Sequence, residues 1–109
     1  MTETWREIHG YDGKYEVSTF GNVRIKSTGR VLKTEIHHKG YRRVNLFRDG
    51  KRIHKKVHRL VAEAFIPNPL NKPQINHRDF DVSNNRVWNL EWVTNEENAE
   101  YSRKNRILA

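Results

Sequence analysis

Apolar and polar positions alternate through the first half of the chain and recur at a longer period in the second. Residues 15–18 (Tyr-Glu-Val-Ser) alternate one by one, the signature of a half-buried strand. Residues 5–8, 23–26 and 30–32 read the same way, separated by the turns Gly10-Tyr11-Asp12-Gly13, Gly21-Asn22 and Thr28-Gly29. A longer strand is predicted over 41–47, and Asp49-Gly50 is a two-residue hairpin signal that returns the chain over 53–57. Either Val44 and Leu46 or Ile53 and Val57 can form the apolar side of this hairpin, because the pattern does not fix its register. From about residue 58, Leu60, Val61, Ala64 and Phe65 fall at helical spacing, and Pro67 ends the run. The segment 67–73 carries three prolines and is a stiff connector. A short strand over 74–77, a polar loop over 80–85 and a returning strand over 90–93 follow, with Leu90 or Trp92 facing inward. Thr94 and Glu97 have capping-box spacing, which starts a helix to about Arg103 and places Asn98 in its first or second turn.

These elements predict an α+β protein. Residues 1–57 form an N-terminal antiparallel β-sheet lobe; residues 58–109 form a lead-in helix followed by a strand–strand–helix (ββα) unit. At 109 residues the chain is one domain, or two small lobes sharing a thin core. Three tryptophans, four tyrosines and four phenylalanines supply the bulk of such a core and argue against disorder. With no cysteine, disulfides and zinc ribbons are excluded. No apolar run approaches membrane-spanning length and the N-terminus lacks a signal-peptide pattern, so a soluble intracellular protein without a membrane partner is expected.

Charge changes the picture most. The net +8 is concentrated in residues 24–59, where thirteen Lys and Arg face only Glu35 and Asp49; residues 1–23 and 60–109 are each slightly acidic. A basic block of this kind, interleaved with Tyr41 and Phe47, fits a binder of phosphate backbones. Arg24, Lys26, Arg42, Arg43, Arg48, Lys51, Arg52, Lys55, Lys56 and Arg59 are the candidate DNA-contacting residues, and a twisted basic ribbon can lie against a duplex groove. The plainer alternative is a solvated, solubilising surface.

The ββα unit carries the candidate chemistry. His77 ends its first strand, Asn76 precedes it, and Asn98 projects from its helix. The two amides can meet at one divalent cation beside His77, and oxygen donors favour Mg2+ or Mn2+ over zinc. Neutral His77 would act as general base on water attacking a phosphodiester, with the ion stabilising the developing charge.

The motif Ile75-Asn76-His77-x-Asp79, the Asn84-Asn85 pair, Asn89-Leu90-Glu91-Trp92-Val93-Thr94 and Glu97-Asn98 resemble the phage and intron-encoded HNH homing endonucleases, the ββα-metal nucleases. His58-Arg59-Leu60-Val61-Ala62-x-Ala64-Phe65-Ile66-Pro67-Asn68-Pro69 is similar to the lead-in helix of that group. Trp5-Arg6-x-Ile8-x-Gly10-Tyr11-x-Gly13-x-Tyr15-x-Val17-Ser18, with Gly21-x-Val23-Arg24, looks like the modular DNA-binding motif that accompanies such nucleases. The resemblance implies His77 as general base, Asn89 as the residue bracing the loop, and Asn98 as a metal ligand in place of the histidine of other branches. The family's second ligand is often an aspartate just before the base, where this chain has Asn76. The resemblance further implies nicking of double-stranded DNA to a 5′-phosphate and a 3′-hydroxyl by a monomer or weak homodimer. It places a phage-encoded protein in the bacterial cytoplasm.

Several residues have plainer readings. Asp79 and Asn84 suit bonds within their own loop, His37-His38 an exposed turn, and Trp88 and Trp92 core or loop packing. His54 and His58 are four apart, but a strand-to-helix boundary between them spoils the zinc geometry. Two rival functions remain: a DNA-binding module of the same fold with a weak or inactive nuclease site, and an RNA-binding protein.

Overall fold

In the computed structural model, which describes residues 2–108, the chain folds into three small antiparallel sheets and two helices. Strands β1 (Trp5–Glu7), β2 (Tyr15–Ser18) and β3 (Val23–Ile25) form the first sheet in sequential order. The second contains β4 (Glu35–Ile36), β5 (Arg42–Arg48) and β6 (Lys51–Lys56). Helix α1 (Val57–Phe65) follows directly, and β7 (Gln74–His77) pairs with β8 (Leu90–Val93) ahead of α2 (Asn95–Leu108). The architecture is the expected α+β arrangement of an antiparallel β lobe followed by a ββα unit.

Alternation fixes which side of each strand is buried. Tyr15 and Val17 of β2, Val23 of β3 and Val44 and Leu46 of β5 are inaccessible or nearly so, and α1 lays Val57, Leu60 and Val61 onto the same cluster, which Leu90 of β8 completes. Elements from both halves of the chain therefore share one core. Polar bonds cross the same seam: Arg6 donates to the carbonyl of Ala64 (2.7 Å) and the Val87 N–H donates to the carbonyl of Thr19 (2.8 Å), while within the front half the Phe47 N–H ties the second sheet to the first through the Tyr15 hydroxyl (3.0 Å). Gly21 adopts φ +85°, and a Cβ there would stand 3.0 Å from Asn85 of the ββα unit. Only glycine fits that approach.

Three expectations need correction, and the open hairpin register is settled. The return strand covers Lys51–Lys56, and Val57 opens the helix instead of closing the strand. Its register pairs Leu46 with Ile53, so the apolar side takes Val44, Leu46 and Ile53. Residues 30–32 contribute only an isolated bridge between Arg24 and Val31. Helix α2 runs to Leu108, beyond Arg103, because nothing after Arg103 interrupts it.

Candidate active site

The ββα unit builds its site from a strand end, a braced loop and a helix N-terminus. Cross-strand pairs Asn76–Glu91 and His77–Leu90 set the register of β7 against β8. Because side chains alternate across a strand, His77 falls on the side of Ile75 and Leu90, which pack on the core. Its ring lies 5.3 Å from that of His58 on α1 and 6.0 Å from that of Tyr41. Asn76 and Gln74 fall on the opposite side, toward α2, where Gln74 donates to Asn95 (3.2 Å).

Helix α2 starts as its capping box requires. The Glu97 N–H donates to Thr94 Oγ1 (3.1 Å) while the Thr94 N–H donates to Glu97 Oε1 (2.9 Å). Lys72 of the connector also donates to Glu97 (3.0 Å), and these bonds, the Thr94 backbone donor foremost, hold the Glu97 carboxyl below its ordinary pKa. Asn98 sits one turn in, its N–H bonded to the Thr94 carbonyl (2.9 Å).

Between hairpin and helix lies a cavity of about 210 Å³ whose wall includes Asn76, His77 and Asn98, together with Tyr41, Phe80 and Tyr101. Both Asn76 and His77 are buried, at 6% and 4% exposure. His77 Nε2 bonds Asn85 Oδ1 (2.8 Å), itself a buried amide. With Nε2–H donating to that oxygen, the neutral ring keeps its lone pair on Nδ1.

Asn89 does not line this cavity. Its Oδ1 accepts from the Asp79 N–H (3.1 Å), its Nδ2 donates to Asp79 Oδ1 and to the Asn84 carbonyl (both 2.9 Å), and its carbonyl accepts from the Arg78 N–H (2.8 Å). Asp79 closes the same loop by accepting from Asn84 Nδ2 and the Asp81 N–H (both 2.8 Å). These bonds, Asn84 first among them, lower the Asp79 pKa. The 79–89 loop is thereby tied across its base immediately after His77.

A second cleft of about 390 Å³ shares Tyr41, Ile75 and Asn98 with the first and is bordered by Lys39, Lys56 and Arg59 as well as His37, His38 and His58. His58 is the buried member. Burial first, and then the neighbouring His77, Lys56 and Arg59, push its pKa down to about 3.

The ten basic candidates are distributed unevenly. Arg24 is ion-paired to Glu16 (2.9 Å) and stacked 3.9 Å over the Trp5 ring, and Lys26 is paired to Glu7 (2.5 Å). Arg43 approaches Glu35 (3.8 Å), Arg48 donates to the Gly10 carbonyl (3.3 Å), and Arg59 donates to the Pro73 carbonyl (2.8 Å). Arg42, Lys51, Arg52, Lys55 and Lys56 have no carboxylate partner among the described residues. Arg43, Arg52 and Lys56 share the outer side of the hairpin with Asn45, Phe47 and His54.

Sequence reasoning missed His58, Asn85 and Glu91 as neighbours of the site. Asn85 stood in the motif without a role, and the Asn76–Glu91 pairing required the register of β7 and β8.

A cation site, if built here, has amide oxygens for donors. Among the described residues no three His, Asp or Glu side chains gather as a metal-binding group. Asn76 and Asn98 line the cavity, and amide oxygens are hard donors of the kind a hard divalent cation accepts, so the side chains present fit such an ion.

Known proteins are similar to this chain along most of its length. Residues 3–47 match the NUMOD4 motif and residues 55–100 match an HNH endonuclease family model. The DNA endonuclease I-HmuI of Bacillus phage SP01 is 41% identical over 96 residues, which are 88% of this chain and 55% of the relative. An uncharacterised HNH endonuclease of Acanthamoeba polyphaga mimivirus is 41% identical over 98% of this chain and 28% of its own length. A solved structure, described as DNA binding and cleavage by the HNH homing endonuclease I-HmuI, superposes with a TM-score of 0.85 at 38% identity, covering 94% of this chain and 59% of that one. The chain thus spans little more than half of the phage relative.

Proposed function

We propose that this chain, which matches an HNH endonuclease family model behind a NUMOD4 motif, is an HNH endonuclease that depends on a divalent metal and nicks double-stranded DNA as a monomer. The observation that carries this is the cavity walled jointly by Asn76, His77 and Asn98.

In this reading His77 is the general base. Asn85 fixes the ring through Nε2, and Nδ1 takes a proton from water as that water attacks the scissile phosphorus. The phosphorus–oxygen bond to the 3′ carbon breaks as the new one forms, leaving a 5′-phosphate; the departing oxygen is protonated from solvent to give a 3′-hydroxyl. Asn76 and Asn98 would hold the cation, whose contribution when bound is Lewis-acid stabilisation of charge on the phosphate and the leaving oxygen. Asn89 acts by bracing the loop behind His77. Lys39, Lys56 and Arg59 along the adjoining cleft support passage of the phosphate backbone past the site. The division of labour between residues 1–57, as DNA-binding lobe, and 58–109, as nuclease lobe, belongs to the same proposal. So does action in the bacterial cytoplasm, supported by the phage origin of one relative.

Asn76 favours a second reading. An amide binds a hard cation less tightly than a carboxylate, which suits a DNA-binding module with weak or absent cleavage. Incubation of supercoiled plasmid with magnesium or manganese separates the two. Nicking that is lost in His77→Ala, with salt-sensitive DNA binding retained, is the expected result. Binding without nicking by the natural chain would select the second reading, and undiminished nicking by the variant would remove His77 from the chemistry.

A further inference from the structure

Asn76 is buried at 6% exposure, and its Nδ2 donates to Glu91 Oε1 at 3.1 Å across the β7–β8 pair. A carboxylate has only acceptors to offer. Glu91 therefore decides which way round the Asn76 amide sits: the NH2 group must face the carboxylate, leaving Oδ1 as the atom free to face the cavity that Asn76 walls with His77 and Asn98. Glu91 is itself held. Its Oε2 meets Arg78 (3.3 Å), and the nearness of the carboxylate to the Tyr101 hydroxyl raises that tyrosine's pKa. The carboxylate does not wall the cavity but borders a different cleft, beside Arg78 and Trp92.

From this geometry we infer that Glu91 is a positioning residue for the cation site, locking the Asn76 oxygen toward the ion and supplying from behind the negative charge that an amide ligand lacks. Two effects follow. An amide that donates to an anion carries more negative charge on its oxygen and is a better ligand for a hard cation. The Glu91 charge also attracts the ion directly over a short distance. The inference rests on the proposed metal role of Asn76 and Asn98.

Manganese binding to the full chain, followed by electron paramagnetic resonance or calorimetry without DNA, tests it independently of cleavage. Glu91→Gln keeps size and hydrogen-bonding capacity but loses the charge and lets the Asn76 amide turn over. It should weaken manganese binding by roughly 10-fold while thermal unfolding stays close to that of the natural chain. Glu91→Asp, which keeps the charge but shortens the reach, should fall between. In an Asn76→Asp background either face of the side chain offers the ion an oxygen, so Glu91 has no orientation left to set and adding Glu91→Gln should weaken manganese binding by a smaller factor than it does beside Asn76. A purely structural Glu91 gives the same factor in both backgrounds. If Asn76→Ala and Asn98→Ala weaken manganese binding but Glu91→Gln does not, the role of Glu91 is overturned and the metal site stands. If neither alanine variant affects manganese binding, the metal site falls and the inference falls with it.

Discussion

His58 lies under the candidate base with its Nδ1 buried and without a hydrogen-bond partner among the described residues. Its pKa of about 3, against an ordinary 6.5, means that the unfolded chain takes up a proton here at a pH where the folded chain does not. The stability this neutral ring contributes is complete above about 6.5 and declines as pH falls from there toward about 3. Unfolding free energies measured by urea titration should therefore drop on acidification by up to about 1.4 kcal/mol per pH unit from this group. In His58→Phe that component should vanish; an unchanged slope would reassign the acid sensitivity elsewhere. At this scale the sequence exposed His77, Asn89 and Asn98 because they stand at recognisable spacings. It hid His58, Asn85 and Glu91 because each meets its partner through packing or strand pairing that spacing does not encode. His58 in particular invited comparison with His54, four residues away, when the ring it touches is His77.

Elements with strong local signals were legible to the residue. Strands Gln74–His77 and Leu90–Val93 fall where alternation placed them, and the Thr94–Glu97 box forms both of its bonds. Strand Glu35–Ile36 was invisible because two exposed residues cannot show a period. The hairpin register likewise waited on the core, which admits Val44 and Leu46 and turns Arg43 and Phe47 outward. The capping box has a functional corollary, since α2 carries Asn98 from its first turn. Thr94→Ala should lower stability by about 1 kcal/mol, read as a fall in melting temperature. It should also weaken manganese binding, whereas Thr94→Ser, which keeps the cap, should leave both near the natural values. Loss of stability with unaltered manganese binding would show that the helix start does not position Asn98.

Across the molecule, formal charge overstates the surface available to a polyanion. Arg24 and Lys26 are already engaged with carboxylates of their own sheet, whereas Arg52 and Lys56 stand without one on the outer side of the hairpin. Replacing Arg52 and Lys56 together by alanine should weaken duplex binding for every sequence and reduce the salt dependence, by about 0.9 in the log–log slope for each phosphate no longer neutralised. Arg24→Ala should instead lower stability by vacating its seat on Trp5, with little change in that slope. A larger drop in slope for Arg24→Ala than for the hairpin variant would reverse this assignment. The sequence conveyed the amount of positive charge but not its internal neutralisation, which depends on cross-strand partners such as Arg24 and Glu16.

The close approach of Gly21 to Asn85 also bears on how such chains can be recombined. Asn85, whose side chain bonds His77, brings its Cβ and backbone carbonyl against a turn of the segment that matches the NUMOD4 motif, so the front half supports the loop that holds the candidate base. A chimaera that grafts a foreign front piece onto residues 55–100 keeps the His77–Asn85 bond in place only if the donor brings a bare backbone to that same spot. Exchanging the front segment of this chain is then a problem of matching one turn as well as joining two sequences.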